Sequence, residues 1–196
     1  MTTRSPEQTR ERILDALERL LGDTPANQVS LAAVAAEAEV SKGGLLHHFP
    51  TKEALLAALV RRLGAQSDAQ LAEAVAGGTS AARFYLQAYD ESDKSSMALF
   101  RSVVAALRSS DGQEGEVNTA LTEVMRSWDG GLQAEISDPV RAEIIRLVGD
   151  GLFLAALLDL PQPDPDLHRQ VCERLLGQDA TSGAGSSDSS TPNAER

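Results

Sequence analysis

The sequence predicts an all-α protein of about nine helices, in which a three-helix amino-terminal domain precedes a larger helical domain. Apolar residues recur every three or four positions along most of the chain, which is the period of an amphipathic helix. Capping residues and prolines stand where these stripes begin. No segment combines alternating apolar residues with hairpin turns, so strands are not expected. We predict domains over 6–66 and 67–177, and a disordered tail over 178–196, which lacks Val, Ile, Leu and aromatic residues.

The first four helices are predicted from the residues that cap them. The expected N-caps are Ser5, Ser30, Ser41 and Thr51. Ser5 is followed by Pro6 at the first helical position and by Gln8, which completes a capping box. Gly22 is expected to end the first helix, and Pro50 to end the short third helix. The fourth helix is predicted to be long, because its leucine stripe continues well beyond the others.

Five further helical stretches are predicted in the second part of the chain. They lie near residues 80–90, 94–109, 115–134, 139–160 and 165–177. The pairs Asp138-Pro139 and Asp164-Pro165 are start signals for the last two, because Asp caps a helix and Pro fits its first turn.

The charge is distributed unevenly along the chain. The formal net charge is −11, which taken globally argues against nucleic acid. Residues 1–66, however, carry eight Lys or Arg and eight Asp or Glu, so the whole imbalance lies in residues 67–196. The first third of the chain can therefore still present a locally basic face.

Membrane insertion and disulfide chemistry are not expected. No window approaches 18 consecutive apolar residues, and residues 1–10 lack the apolar core of a secretory signal. The single cysteine, Cys172, excludes an internal disulfide framework and a cysteine zinc cluster. Without a paired histidine evident in the sequence, Cys172 is interpreted as a small apolar residue and not a nucleophile. We expect a cytoplasmic protein with no membrane partner.

The most informative segment is residues 29–52, VSLAAVAAEAEVSKGGLLHHFPTK. Two short helices joined by about three residues have the dimensions of a helix-turn-helix. Leu45 and Phe49, four residues apart, can anchor the second helix to the core and leave its other faces exposed. The helix start after Ser41 offers free backbone amides and a positive dipole end to a phosphate, and Lys42 adds a full positive charge there.

Residues 6–66 resemble the DNA-binding domain of the TetR family of bacterial transcriptional regulators. The resemblance rests on RERILDALERLL in the first helix and on VSLAAVAAEAEVSKGGLLHHFPTKEALLAAL through the motif into the fourth. The rest of the chain is similar to the family only in being helical, and there the resemblance implies a ligand cavity and a dimer interface. Three positions depart from the family pattern: Glu39 replaces the usual Gly of the turn, Gly44 a common Thr, and Leu46 a common Tyr.

The candidate DNA contacts follow the motif and the resemblance. They are Ser30, Ser41, Lys42, Gly43, Gly44, Leu46, His47, Thr51 and Lys52. The adjacent Gly43 and Gly44 either sit cheaply in a first turn or permit close approach of the backbone to DNA. His47 is preferred over His48 as a DNA contact, and a metal site at this pair is not expected because neighbouring helical side chains diverge by roughly 100° and no third ligand is nearby in the sequence.

Ligand and dimer contacts are expected in the second part. The resemblance implies a small-molecule cavity, for which the candidate residues are Tyr89, Met97, Met125 and Trp128. The dimer seam is predicted on the last two helices, at Ile144, Val148, Gly151, Ala155, Leu158, Leu167, Val171 and Leu175. Gly149 and Gly151 weaken a helix unless a crossing helix packs closely there. Asp150 can pair with Arg146 one turn earlier, or can face the cavity or the dimer seam.

These features favour a ligand-responsive, homodimeric DNA-binding regulator, expected to be a repressor released from a palindromic operator by an unknown small molecule. No catalytic residue, metal ligand or cofactor is predicted, since the GxSxG, Walker and HExxH patterns do not occur. The alternative is a helical interaction or ligand-carrier protein without specific DNA binding.

Overall fold

A computed structural model describes residues 5–25, 27–87, 94–107 and 115–177. The regular structure in these ranges is entirely helical, so the all-α prediction is confirmed. The helices are α1 (Pro6–Asp23), α2 (Leu31–Glu37), α3 (Lys42–His48), α4 (Lys52–Ala76), α5 (Ala81–Tyr85), α6 (Lys94–Leu107), α7 (Glu116–Glu135), α8 (Pro139–Leu157) and α9 (Pro165–Leu176). Within these ranges, every helix is too short or too polar to cross a membrane.

The predicted caps form as the sequence indicates. Ser5 Oγ accepts a hydrogen bond from Gln8 N, and the Gln8 side chain accepts one from Ser5 N, which closes the capping box. The prediction for Gly22 was wrong by one to two residues. Helix α1 continues through Gly22 to Asp23 and ends at Thr24, whose extended backbone donates to Leu20 O. A left-handed residue is therefore not needed at this terminus.

The chain divides into two compact units, Met1–Gln162 and Pro163–Arg196. The first unit contains a core to which α1–α4, α6, α7 and α8 contribute buried apolar side chains. The described part of the second unit is residues 163–177, in which Asp164 caps α9 by accepting from Asp166 N and Leu167 N at 3.0 Å. The predicted tail, 178–196, lies outside the described residues.

Helix α4 is packed into the amino-terminal helices through its first half. Leu55, Leu59 and Val60 are essentially inaccessible to solvent. On the same half, Arg62 is only 12% exposed and meets three carboxylates of α1: Glu18, Asp15 at 2.6 Å and Glu11 at 3.6 Å. Because the partly buried Arg62 guanidinium pairs with several carboxylates at once, this cluster holds α1 against α4 more firmly than a single exposed ion pair could.

The middle of α4 packs closely against α7 at Gly64, where the Val124 side chain lies directly against the α4 backbone. A Cβ built at Gly64 would overlap Val124 Cγ2 and lie 3.0 Å from Cγ1. Polar contacts flank this point, with Arg61 Nε 2.7 Å from Glu123 and Ser127 Oγ 3.0 Å from Asp68. The contact partners advance together along both helices, so α4 and α7 run side by side in the same direction.

Candidate nucleic-acid interface and ligand cleft

The short helices α2 and α3 are anchored by a few deeply buried side chains. Val34 and Ala35 hold α2 to the core, and Leu45 and Phe49 hold the end of α3. The predicted anchoring role of Leu45 and Phe49 is confirmed, since their exposed fractions are 0% and 3%. Burial of one side of a seven-residue helix leaves its remaining surface available for a partner.

The exposed surface of α3 contains most of the predicted contacts. Ser41, Lys42, Gly43, Leu46 and His47 are exposed, and Gly44 is half-buried. Ser41 Oγ accepts from Gly44 N at 2.9 Å, and a Cβ at Gly44 would lie 3.2 Å from that oxygen. The other predicted contacts lie outside α3.

Ser30 and Thr51 are exposed caps of α2 and α4, where their oxygens accept from Ala33 N and Ala54 N. Lys52 is half-buried in the first turn of α4, and burial lowers the pKa of its ammonium group. The His47 and His48 rings meet edge to face, with centroids 5.5 Å apart and planes at 75°. No cluster of three metal-ligating side chains occurs among the residues that the structure describes.

The turn between α2 and α3 contains a strained residue and a brace. Glu39 has φ 51°, a left-handed conformation that costs a residue with a Cβ about 1–2 kcal/mol. Arg12 of α1 reaches this turn and donates to Ala38 O at 2.7 Å and to Glu39 Oε2 at 3.1 Å. The resemblance singled out position 39, because glycine is usual there in the resembled family, but the sequence did not reveal the arginine that supports the turn.

Other arginines of α1 also support this region. Arg19 Nε donates to Glu37 Oε1 at 2.8 Å and so ties α1 to the end of α2. The Arg10 guanidinium lies 5.3 Å from the centre of the Phe49 ring, a cation–π distance, and places a cation at the end of α3. Sequence reasoning missed these residues because their partners lie 18 to 39 positions away.

A second candidate site is a cleft between α4, α5, α7 and α8, here called the aromatic cleft. It is lined by Ser67, Leu71, Phe84, Tyr85, Trp128, Gly149, Asp150 and Phe153. The chain has four Phe, two Tyr and one Trp, and four of these seven residues line this one cleft. Its volume is about 40 Å³, well below the roughly 300–1,000 Å³ of sites that enclose drug-sized molecules. A ligand of that size would have to displace part of the wall.

One wall of the aromatic cleft is a hydrogen-bonded chain of polar groups. Tyr85 Oη donates to Asp150 Oδ1 at 2.7 Å, and Arg146 Nη1 donates to Asp150 Oδ2 at 2.7 Å. Arg146 also donates to Glu143 from Nε at 2.9 Å. Burial, followed by the hydrogen bond to Asp150, raises the pKa of Tyr85 far above its ordinary value. The phenol therefore stays neutral and serves as a donor.

The predicted helix crossing at the two glycines of α8 forms at one of them. A Cβ at Gly149 would overlap the ring of Tyr85 and lie 2.8 Å from Tyr85 O, so α5 crosses α8 here. Gly151 faces open space, with no described atom within 4 Å of a built Cβ, so no described helix of the same protomer crosses there. The predicted pair of Asp150 and Arg146 is confirmed, and Asp150 also lines the cleft.

The predicted ligand residues are placed in different surroundings. Trp128 lines the aromatic cleft, Met97 is buried in the core, and Met125 is half-buried on α7 without lining this cleft. Tyr89 lies outside the described residues. Phe84, Tyr85 and Phe153 also line the cleft but are not among the predicted ligand residues, because helical periodicity does not distinguish a cavity wall from a packed core.

The predicted dimer residues lie on largely uncovered helix faces. On α8, Ile144, Gly151 and Leu158 are exposed, and Val148 and Ala155 are half-buried. Val140, Leu147 and Leu154 add further exposed apolar area to the same helix, each at least 50% accessible. In the separate second unit, α9 has no buried residue; Leu167 and Val171 are exposed and Leu175 is half-buried.

Cys172 has a histidine neighbour that the sequence interpretation missed. Its Sγ lies 3.4 Å from Nε2 of His168, one helical turn earlier on α9. The spacing of four residues is the signal that could have revealed the pair, because such residues share a helix face.

Comparison with protein families gives matches in both parts of the chain. Residues 13–59 match the family described as "Bacterial regulatory proteins, tetR family". Residues 79–180, more than half of the chain, match "Tetracyclin repressor-like, C-terminal domain". A comparison with curated proteins gave no match.

Solved structures with a similar fold cover most of the chain. The multidrug binding protein EbrR, crystallised with ethidium, is 29% identical with a TM-score of 0.61, over 85% of this chain and 97% of EbrR. A TetR-family member from Streptomyces coelicolor A3, SCO1917, is 26% identical with a TM-score of 0.64, over 85% and 97% of the two chains. SCO7518 of Streptomyces coelicolor A3(2), 22% identical over 86% and 98% with a TM-score of 0.68, supports the fold alone.

The strain at Glu39 predicts an unusual effect of glycine. Glu39→Gly should raise the free energy of unfolding by about 0.5–1 kcal/mol, because relief of the left-handed strain outweighs one exposed ion pair. Glu37→Gly is the matched control, since it also removes a carboxylate paired with an α1 arginine but lies within α2. That variant should lose about 1 kcal/mol. Urea unfolding measures both, and equal losses in the two variants would contradict the assignment of strain to Glu39.

Proposed function

The chain belongs to the TetR family of bacterial regulatory proteins, and on that premise we propose that it is a repressor that leaves a palindromic operator when a small molecule occupies the aromatic cleft. It is a transcriptional regulator and not an enzyme. The observation that carries the proposal is the α3 surface, on which exposed DNA-contact candidates stand beside two buried anchors, Leu45 and Phe49.

The proposed DNA contacts of α3 combine a positively charged side chain with exposed helix backbone. Lys42 is exposed in the first turn of α3, where a phosphate is the natural partner of a cation and of the helix dipole. His47 lies one to two turns further along, and Gly43 leaves the backbone uncovered. We assign phosphate contacts to Ser30, Ser41, Lys42, Thr51 and Lys52, and the positions nearest the bases to Gly44 and His47. Gly43 and Leu46 complete the proposed DNA surface.

The proposed homodimer places two α3 helices on the two halves of an operator. The exposed apolar residues of α8 supply a continuous surface that a single protomer leaves in water, and such surfaces mark association sites. The apolar residues of α9 supply a second surface, described here for its own unit alone. Both helices are proposed as parts of the dimer seam.

The proposed release acts through α4. This helix begins at Lys52, four residues after α3 ends, and later contributes Ser67 and Leu71 to the aromatic cleft. The cleft is too small for a drug-sized molecule, so a ligand must displace a wall, and α4 is one of the walls. A displaced α4 would shift α3 and so change the spacing between the two halves of the dimer.

A ligand carrier without specific DNA binding is the second candidate. The net charge of −11 and the replacement of the family's common Thr and Tyr by Gly44 and Leu46 favour it, because both features weaken side-chain contacts to phosphates. A gel shift with DNA from upstream of the chain's own gene, titrated with salt, separates the two candidates.

Lys42→Ala should weaken binding to upstream DNA and to random DNA by similar factors. Its salt slope should fall by about one unit for each half-site, because one phosphate contact is lost in each. Arg83→Ala removes an equal charge from the exposed side of α5, away from α3, and should change neither value. Loss of the preference for upstream DNA with an unchanged salt slope would mean that Lys42 contacts a base.

Gly151→Arg should convert the dimer to folded monomers. A side chain at Gly151 meets no described atom of its own protomer within 4 Å, so the arginine disturbs the partner and not the fold. Val75→Arg, at an exposed apolar position of α4 outside the predicted seam, is the control and should remain dimeric. Sedimentation velocity with circular dichroism measures both properties, and a folded dimeric Gly151→Arg variant would place the seam elsewhere.

A further inference from the structure

The aromatic cleft has a charge pattern that specifies the kind of molecule it can hold. Asp150 is the single carboxylate among the described lining residues, and none of them is Lys or Arg. The other large lining groups are aromatic rings, whose faces carry partial negative charge. The Trp128 and Phe153 rings meet edge to face, with centroids 5.7 Å apart and planes at 79°. The described walls therefore combine one full negative charge with ring faces that attract cations.

The surroundings of the cleft strengthen this negative character. Arg146 contacts Asp150 and Glu143, and Asp129 lies close enough to interact with all three groups. These three carboxylates face one arginine, so this group of four side chains retains an excess of negative charge. Burial raises the pKa of Asp129, and the charges of Asp150 and Glu143 raise it further, against the opposing effect of Arg146.

Arg146 can release Asp150 and still keep a carboxylate partner, Glu143. Arg146 holds Glu143 through two nitrogens, Nε at 2.9 Å and Nη2 at 2.5 Å, but holds Asp150 through one. A ligand cation could therefore take over Asp150 while Arg146 keeps its bidentate partner. Trp128 Nε1 is buried and has no hydrogen-bond partner among the described residues. A hydrogen-bond acceptor on the ligand would therefore remove the free-energy penalty of this unsatisfied N–H group.

We propose that the aromatic cleft binds a flat aromatic organic cation, with its ring between Tyr85, Trp128 and Phe153 and its charge against Asp150. The inference rests on the proposed role of this cleft as the effector site. Binding displaces Arg146 Nη1 and the Tyr85 hydroxyl from Asp150 and widens the cleft, and the ion pair and the cation–π contacts together replace the two hydrogen bonds that are broken.

The test uses two probes of the same shape that differ in charge, the N-methylquinolinium cation and neutral 1-methylnaphthalene. Calorimetric titration without DNA measures both affinities, and quenching of Trp128, the single tryptophan of the chain, reports occupancy of the cleft. The cation should bind about tenfold more tightly than the neutral probe. Equal or tighter binding of the neutral probe, or cation binding without a change in Trp128 fluorescence, would overturn the proposal.

Two matched variants locate the charge that matters. Asp150→Asn keeps an acceptor for Tyr85 and should weaken cation binding about tenfold while changing neutral binding less than about twofold. Glu143→Gln removes an equal charge from the other partner of Arg146, outside the cleft lining, and should change cation binding less than about threefold. Equal losses in both variants would overturn the assignment to Asp150.

The wild-type comparison of the two probes decides the proposal even if Asp150→Asn does not fold. Failure of the ligand proposal is also distinct from failure of the proposed function. The titration contains no DNA, so a protein that binds no DNA can still show the preference for the cation. A protein that binds upstream DNA but prefers the neutral probe would remain a regulator with a different class of effector.

Discussion

The close approach of α4 to α7 at Gly64 is the constraint on which the rest of the first unit depends. A Cβ at position 64 would overlap Val124, a β-branched side chain that has little freedom to turn away. The flanking contacts, Arg61 with Glu123 and Asp68 with Ser127, have the right length only at this separation. A wider gap would expose Val124 and draw Leu71 away from the cleft that it lines with Trp128.

Because α4 is continuous, the same helix that packs on the amino-terminal helices also forms a wall of the aromatic cleft. Its first half is fixed to α1 by buried leucines and by Arg62, and its second half contributes Ser67 and Leu71. A change in the cleft can thus reach α3 through a single rigid element, without a chain of loop movements. The negative charge of the chain is concentrated beyond residue 66, which leaves the α3 surface free of that excess.

The elements that were predictable from the sequence are those encoded locally. Caps such as Ser5 and Ser41, and the anchors Leu45 and Phe49, depend on neighbours within one helical turn, so their spacing reveals them. The supports of the site depend on tertiary contacts. Arg12 meets Glu39 across 27 residues, and the crossing partner of Gly149, Tyr85, lies 64 residues earlier. The low helix propensity of glycine indicated that Gly149 needed a close neighbour but could not identify it. Periodicity could not show that the aromatic residues enclose a cleft.

The most direct test of the close contact between α4 and α7 compares alanine substitutions at two glycines, Gly64 of α4 and Gly130 of α7. Gly130 of α7 faces open space, so Gly130→Ala should raise the free energy of unfolding by roughly 0.5–1 kcal/mol through helix propensity. Gly64→Ala gains the same propensity but should lose roughly 1–3 kcal/mol overall, because its methyl group overlaps Val124. Urea denaturation measures both variants. Opposite signs support the close approach of α4 to α7, and a stabilised Gly64→Ala variant would contradict it.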